Sequence, residues 1–153
     1  MPEQSSFDYA IIRVVPRVER EEFVNAGVIL LCLEQRFLEA RIHVDESRLK
    51  ALWPEIDIDL VRQHLEAFPN ICKGDHSAGP IAKLSQRERF HWLVAPRSTM
   101  IQVSPVHSGL CENPENAMER LVRDLLHTVV LERQPSDRMQ EAARPHEGTK
   151  ELG

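Results

Sequence analysis

Apolar and polar positions along this chain fall into runs that separate strands from helices before anything else is considered. Phe7 to Val15 is dense in Tyr, Ile and Val and stops at Pro16, the pattern of a strand ended by a residue that cannot donate to a ladder. Tyr9 and Ile11 lie on one of its faces and Ala10, Ile12 and Val14 on the other, which predicts a central strand covered along most of its length. Arg13 is the one charge among these apolar neighbours. Phe23 to Leu33 is a second strand. Asn25-Ala26-Gly27 inside it predicts a bulge or the close approach of another backbone or a ligand. Phe37 to Val44 alternates cleanly, with Leu38, Ala40, Ile42 and Val44 inward and Glu39, Arg41 and His43 outward. The polar turn Glu34-Gln35-Arg36 between these runs predicts an antiparallel hairpin with one wet face.

Helical spacing follows. Asp45 caps a short helix that runs to Leu52. Asp57 caps a second helix, with Leu60, Val61, His64, Leu65 and Phe68 on one stripe and Pro69 closing it. Asn70 to Pro80 reads as a loop. Ser85 and Glu88 form a capping box for a third helix that ends near Val94. Ser98 to Ser104 is expected as a fourth strand and Pro105 to Cys111 as a loop. Asn113-Pro114 opens the last helix, and Met118, Leu121, Val122, Leu125, Leu126, Val129 and Val130 follow at helical spacing. Beyond Leu131 the apolar pattern vanishes, so residues 132–153 are expected to be a disordered charged tail. The expected fold class is α+β: a mostly antiparallel sheet of about four strands with helices packed on one face, in a single domain spanning 1–131.

Composition narrows the function classes. A chain of 153 residues with 42% hydrophobic content builds a core without staples. The net charge of -5 argues against nonspecific nucleic-acid binding, which would need a local stripe such as Arg13, Arg36, Arg41 and Arg97. Cys32, Cys72 and Cys111 are an odd, scattered set, unlike a secreted disulfide framework. The polar start and the brevity of the longest apolar run, Val28 to Leu33, predict a cytoplasmic protein with neither signal peptide nor membrane span.

Candidate chemistry gathers in Ala95-Pro96-Arg97-Ser98-Thr99 and in Ser104-Pro105-Val106-His107-Ser108-Gly109. A guanidinium offers a planar fork of donors for carboxylate or phosphate. Hydroxyls and the backbone amides near Gly109 add further donors. With Arg13, and with Asn25 beside Gly27, these define a candidate ligand-binding set: Arg13, Asn25, Gly27, Arg97, Ser98, His107 and Gly109. Each has a structural alternative. Arg13 and Arg97 would form ion pairs, the latter with Glu88 or Asp8. His107 would fix a loop, and Asn25 and Gly27 would mark a bulge. Cys72 with His76 and His107 with Cys111 carry zinc-binding atoms, but at spacings that match no usual zinc motif. Trp53 and Trp92 are core anchors or interface hot spots. There is no nucleophile elbow and no glycine-rich phosphate loop, so no catalytic residue, metal or cofactor is assigned.

The segments Tyr9 to Pro16, Glu22 to Val28, Ala95 to Ser98 and Ser104 to Gly109 resemble the bacterial DUF3037 family, with the similarity covering about Phe7 to Leu131. That resemblance implies a small bacterial protein with no catalytic or cofactor residues to carry over. It also implies a partner, because members are often encoded beside a HipA-like, kinase-fold protein. The expected function is therefore a non-enzymatic binding or regulatory protein that acts through a protein partner. The alternative is a small anion- or phosphate-recognising enzyme using a pocket around Arg97 and His107. It requires Arg13, Asn25, Arg97 and His107 to converge in one cleft.

Overall fold

Hydrogen-bonded pairing along Ser5–Val14 organises the molecule. In the computed structural model, which describes residues 3–97 and 99–127, this ten-residue strand, β1, is the centre of one antiparallel sheet. On one side it pairs with β2 (Val24–Cys32), which pairs in turn with β3 (Phe37–Ile42). On the other side it pairs with two short strands, β4 (Ile101–Val103) against its end and β5 (His107–Cys111) against its beginning. The helices are α1 (Glu46–Leu52), α2 (Ile58–Lys73), α3 (Gln86–Leu93) and α4 (Pro114–Leu126). The α+β class and the antiparallel sheet are those expected from the sequence.

Three differences from that expectation have physical causes. The first is the stretch 107–111, expected as a loop, which is strand β5. His107, Ser108 and Gly109 have little intrinsic strand preference, but β1 is long enough that Ser5–Tyr9 would otherwise lack a partner on this side. The outer strand is broken between its halves by Ser104 and Pro105. Ser104 N–H donates to the Ile11 carbonyl at 2.8 Å, and its buried hydroxyl accepts from Ile11 N–H at 2.9 Å. The hydroxyl thus takes the place of a backbone acceptor where the ladder stops.

The second difference is in the layers. Helices α1 to α3 cover one face, over Ala10, Ile12, Val14, Ile29, Leu31, Leu38 and Ala40. Helix α4 covers the other face, over Phe7, Val28, Leu30, Cys32 and Cys111. The sheet therefore carries helices on both sides and not on one alone. β2 is buried on both faces, and helices confined to one side would leave Val28 and Leu30 in water.

The third is α2, which passes through Pro69 and ends at Lys73, with Gly74 at φ 73 as its left-handed cap. An interior proline costs about 3 kcal/mol. Ile71 and Cys72 continue the buried stripe of Phe68, and their burial offsets that loss.

The helix starts are as expected. Asp45 accepts from Arg48 N–H, Asp57 from Leu60 N–H and Asn113 from Glu115 N–H, and Ser85 with Glu88 closes a capping box. The expected tail, residues 132–153, and the last positions of the expected helical stripe, Val129 and Val130, lie outside the described residues. Among the described residues no helix is long and apolar enough to cross a membrane.

Candidate functional site

The irregularity expected at Asn25-Ala26-Gly27 is present and sets the site. Ile12 pairs with Gly27 and Arg13 with Asn25, leaving Ala26 as the extra residue. Its carbonyl accepts from His43 N–H at 2.8 Å. The bulge exchanges the faces of β2: Val24 and Ala26 join the three-helix core, and after it Val28 points to α4. Gly27 remains on the three-helix side, where a Cβ would come within 2.8 Å of Ile42 Cδ1 and 2.9 Å of the Arg41 carbonyl. Its role is close packing.

On the α4 side the register lines up Gln102, Arg13 and Asn25 across β4, β1 and β2. Asn25 Nδ2 donates to the Leu125 carbonyl at the end of α4, at 3.3 Å. Asn25 Oδ1 and Arg13 Nε are buried and find no hydrogen-bond partner among the described residues. The Arg13 guanidinium lies 4.3 Å from the centroid of the Phe23 ring.

Arg97 follows α3 and folds back on its end. Nη1 donates to the Leu93 carbonyl at 2.8 Å and Nη2 to the Trp92 carbonyl at 3.3 Å. This places a cation at the carbonyl end of the helix dipole, where the Trp92 carbonyl also accepts from Ala95 N–H at 3.4 Å. The guanidinium also lies over Trp92 and Phe68, at 5.2 and 5.5 Å from their centroids. Partial burial pulls the Arg97 pKa below its usual value. Among the described residues, neither Arg13 nor Arg97 has a carboxylate within 4.0 Å; the ion pairs lie elsewhere, as in Arg41–Glu39 and Arg62–Glu46. Among the described residues, the structural ion pairs considered for these two arginines are therefore not formed.

Arg13 and Arg97 line one cleft of about 350 Å³ with Val15, Val18, Glu21, Phe23 and Gln102. On its other side Arg97 also lines a hollow of about 390 Å³ between α2 and α3, with Gln63, His64, Ala67, Phe68, Trp92, Leu93, Thr99 and Ile101.

Not all the expected residues meet here. Arg13 and Arg97 share the cleft, and Asn25 adjoins Arg13. His107 pairs with Tyr9, its ring 5.3 Å from the tyrosine ring. Arg13 lies four positions beyond Tyr9 on β1, about 13 Å at the usual strand rise. His107 lines neither hollow. Gly109 faces Phe7, whose Cζ would lie 2.7 Å from an added Cβ, so the glycine makes room for the ring. Ser98 lies outside the described residues. Convergence of Arg13, Asn25, Arg97 and His107 in one cleft is therefore not observed.

Sequence reasoning passed over Phe23, Gln102 and Glu21 as members of the site. The alternation that puts Gln102 opposite in sense to Ile101 was legible, but its pairing with Arg13 depends on register. The zinc-capable pairs are also split. Cys72 belongs to the three-helix core, where burial pushes its thiol up to about 12. Cys111 belongs to the α4 side, and burial raises its thiol as well. No group of three or more metal-ligating side chains occurs among the described residues.

Fold and site define a small α+β protein whose sheet lies between three helices and one, with an arginine-lined cleft where the cover of the single helix ends. A family model described as a protein of unknown function, DUF3037, matches residues 9–126, and the chain belongs to that family. No curated protein and no solved structure matches it.

Proposed function

We propose that this chain is a recognition protein that acts by binding a protein partner, with an acidic side chain of the partner seated between Arg13 and Arg97. One observation carries the reading: two arginines with no carboxylate partner among the described residues line a single cleft. A buried guanidinium N–H left unpaired is costly, and a carboxylate supplies short, charge-assisted bonds to it. Glu21 on the same cleft lowers its net positive charge, which favours a single carboxylate over a doubly charged phosphate. The rim carries exposed Val18 and Phe23, and exposed Trp92 stands beyond Arg97. Aromatic residues with arginine are the usual composition of interface hot spots. The enzyme alternative, which needs His107 beside Arg97, is disfavoured because His107 lines neither hollow.

A HipA-like kinase-fold protein, the partner that the family resemblance implies, is the first to test. Calorimetric titration of that protein with the wild-type chain should give a complex, and Arg13→Glu should weaken it at least about tenfold, as for a hot-spot charge. Full affinity in the variant would remove the cleft from the interface. Absence of any complex would remove this partner.

A further inference from the structure

We infer that the hollow between α2 and α3 receives a large apolar side chain adjacent in sequence to the acidic residue, so that the ligand is a peptide segment pairing an apolar with an acidic position. The inference rests on the reading of the Arg13–Arg97 cleft given above and extends it to the other side of Arg97. The hollow of about 390 Å³ is large enough for a leucine or phenylalanine side chain. Phe68 and Leu93, both buried, form its base, and Ile101 and Ala67 line it. Trp92, 44% exposed, stands at its edge. Among the described residues, Arg97 is the only arginine, lysine, aspartate or glutamate on this lining, beside the polar Gln63, His64 and Thr99, so the apolar base favours an apolar occupant.

Arg97 joins the two hollows. Two of its N–H groups are held by the α3 carbonyls, and its plane rests on Trp92 and Phe68. A guanidinium has five N–H donors, so the others are free for a carboxylate. The side chain is already fixed in place, and little ordering is needed on binding. An apolar group on one side and a carboxylate on the other then both touch Arg97, which requires positions close together in one segment. A peptide is favoured over a small molecule because the exposed apolar rim runs past both hollows, from Phe23 and Val18 to Trp92.

The test uses acetylated, amidated tetrapeptides on the full chain, with binding followed by chemical-shift titration. The probes are Gly-Phe-Glu-Gly, Gly-Gly-Glu-Gly and Gly-Phe-Gln-Gly, together with free 3-phenylpropanoate. The phenylalanine–glutamate peptide should bind at least about tenfold tighter than the glycine–glutamate peptide, the effect of burying one large side chain. Ala67→Phe fills the hollow from an exposed helix position and should erase that advantage while leaving the glycine–glutamate peptide unchanged. Trp92→Ala, a second variant, should reduce the same advantage. Arg13→Gln should weaken both acidic peptides. Equal binding of the two acidic peptides, both weakened by Arg13→Gln, would overturn the apolar hollow and leave the acidic cleft standing. Binding of the glutamine peptide equal to that of its glutamate counterpart, with Arg13→Gln without effect, would overturn both. Equal affinity for 3-phenylpropanoate would transfer the site to a free aromatic acid and overturn the peptide assignment.

Discussion

Ile12 and Arg13 are neighbours on β1 and meet opposite surroundings. Ile12 is fully buried in a core that runs through Leu65, Phe90 and Leu93 under three helices. Arg13, on the other face, stands in a polar row with Asn25 and Gln102. The difference lies in the cover. The three-helix core reaches Val14 at the end of β1, whereas α4 seals Phe7, Val28 and Leu30 and ends above Asn25, which its Leu125 carbonyl just reaches. Where a helix stops short of the end of a strand, the strand's next inward position must be polar, and the polar atoms there become available to a ligand. The candidate site is thus a margin of the second core.

Substitutions on the two faces should break or sharpen this contrast. The largest effect is expected in the dry core: Phe90→Ala should cost about 3–5 kcal/mol in denaturant unfolding. A cost below about 1 kcal/mol would show that the three-helix face is loosely packed and the comparison misdrawn. Gly27→Ala should follow at about 1–3 kcal/mol, because its Cβ meets a backbone oxygen at 2.9 Å as well as a movable side-chain tip. Wild-type stability in that variant would mean that the bulge is soft.

Cys72 adds a dependence on pH to the same face. Its folded thiol keeps its proton up to about 12, against an ordinary value of 9.0. The folded state therefore binds more protons than the unfolded state between those values. The stabilisation is complete below pH 9 and is lost as pH rises toward 12, with a slope of at most about 1.4 kcal/mol per unit. Unfolding curves from about pH 8 to about pH 10, roughly one unit either side of the ordinary thiol value, should show the onset of this decline, and Cys72→Ala should flatten it.

The smallest effect is expected at the margin. Arg13→Met keeps an apolar stem against Phe23 and removes an unpaired buried donor, so stability should stay within about 1 kcal/mol of wild type. A loss above about 3 kcal/mol would reveal an ion pair and place Arg13 among the structural residues.

Much of this fold was legible because its signals are local. Alternation in 37–44, the caps Asp45, Asp57 and Asn113, and the Ser85–Glu88 box each act within one turn or one strand. β5 was illegible because a histidine, a serine and a glycine become a strand only through the unpaired half of β1. The reach of α2 past Pro69 was likewise set by burial at Ile71 and Cys72, which a local rule for proline does not weigh. In the site, Arg13 and Asn25 stood out as polar exceptions in apolar strands, and Arg97 as a guanidinium between a helix and a strand. Gly27 and Gly109 were equally conspicuous, but for reasons of packing on different faces. Phe23 and Gln102 could not be assigned to the site from sequence because β-sheet register and the fold of the 17–22 turn bring them to Arg13.

The interruption at Ser104 and Pro105 bears on colloidal behaviour. It divides the sheet's outer rim into pieces of three and five residues, and the proline between them cannot donate an N–H. On this rim a stray extended chain meets no uninterrupted ladder on which to grow. The kink thus guards this rim against fibril-like stacking.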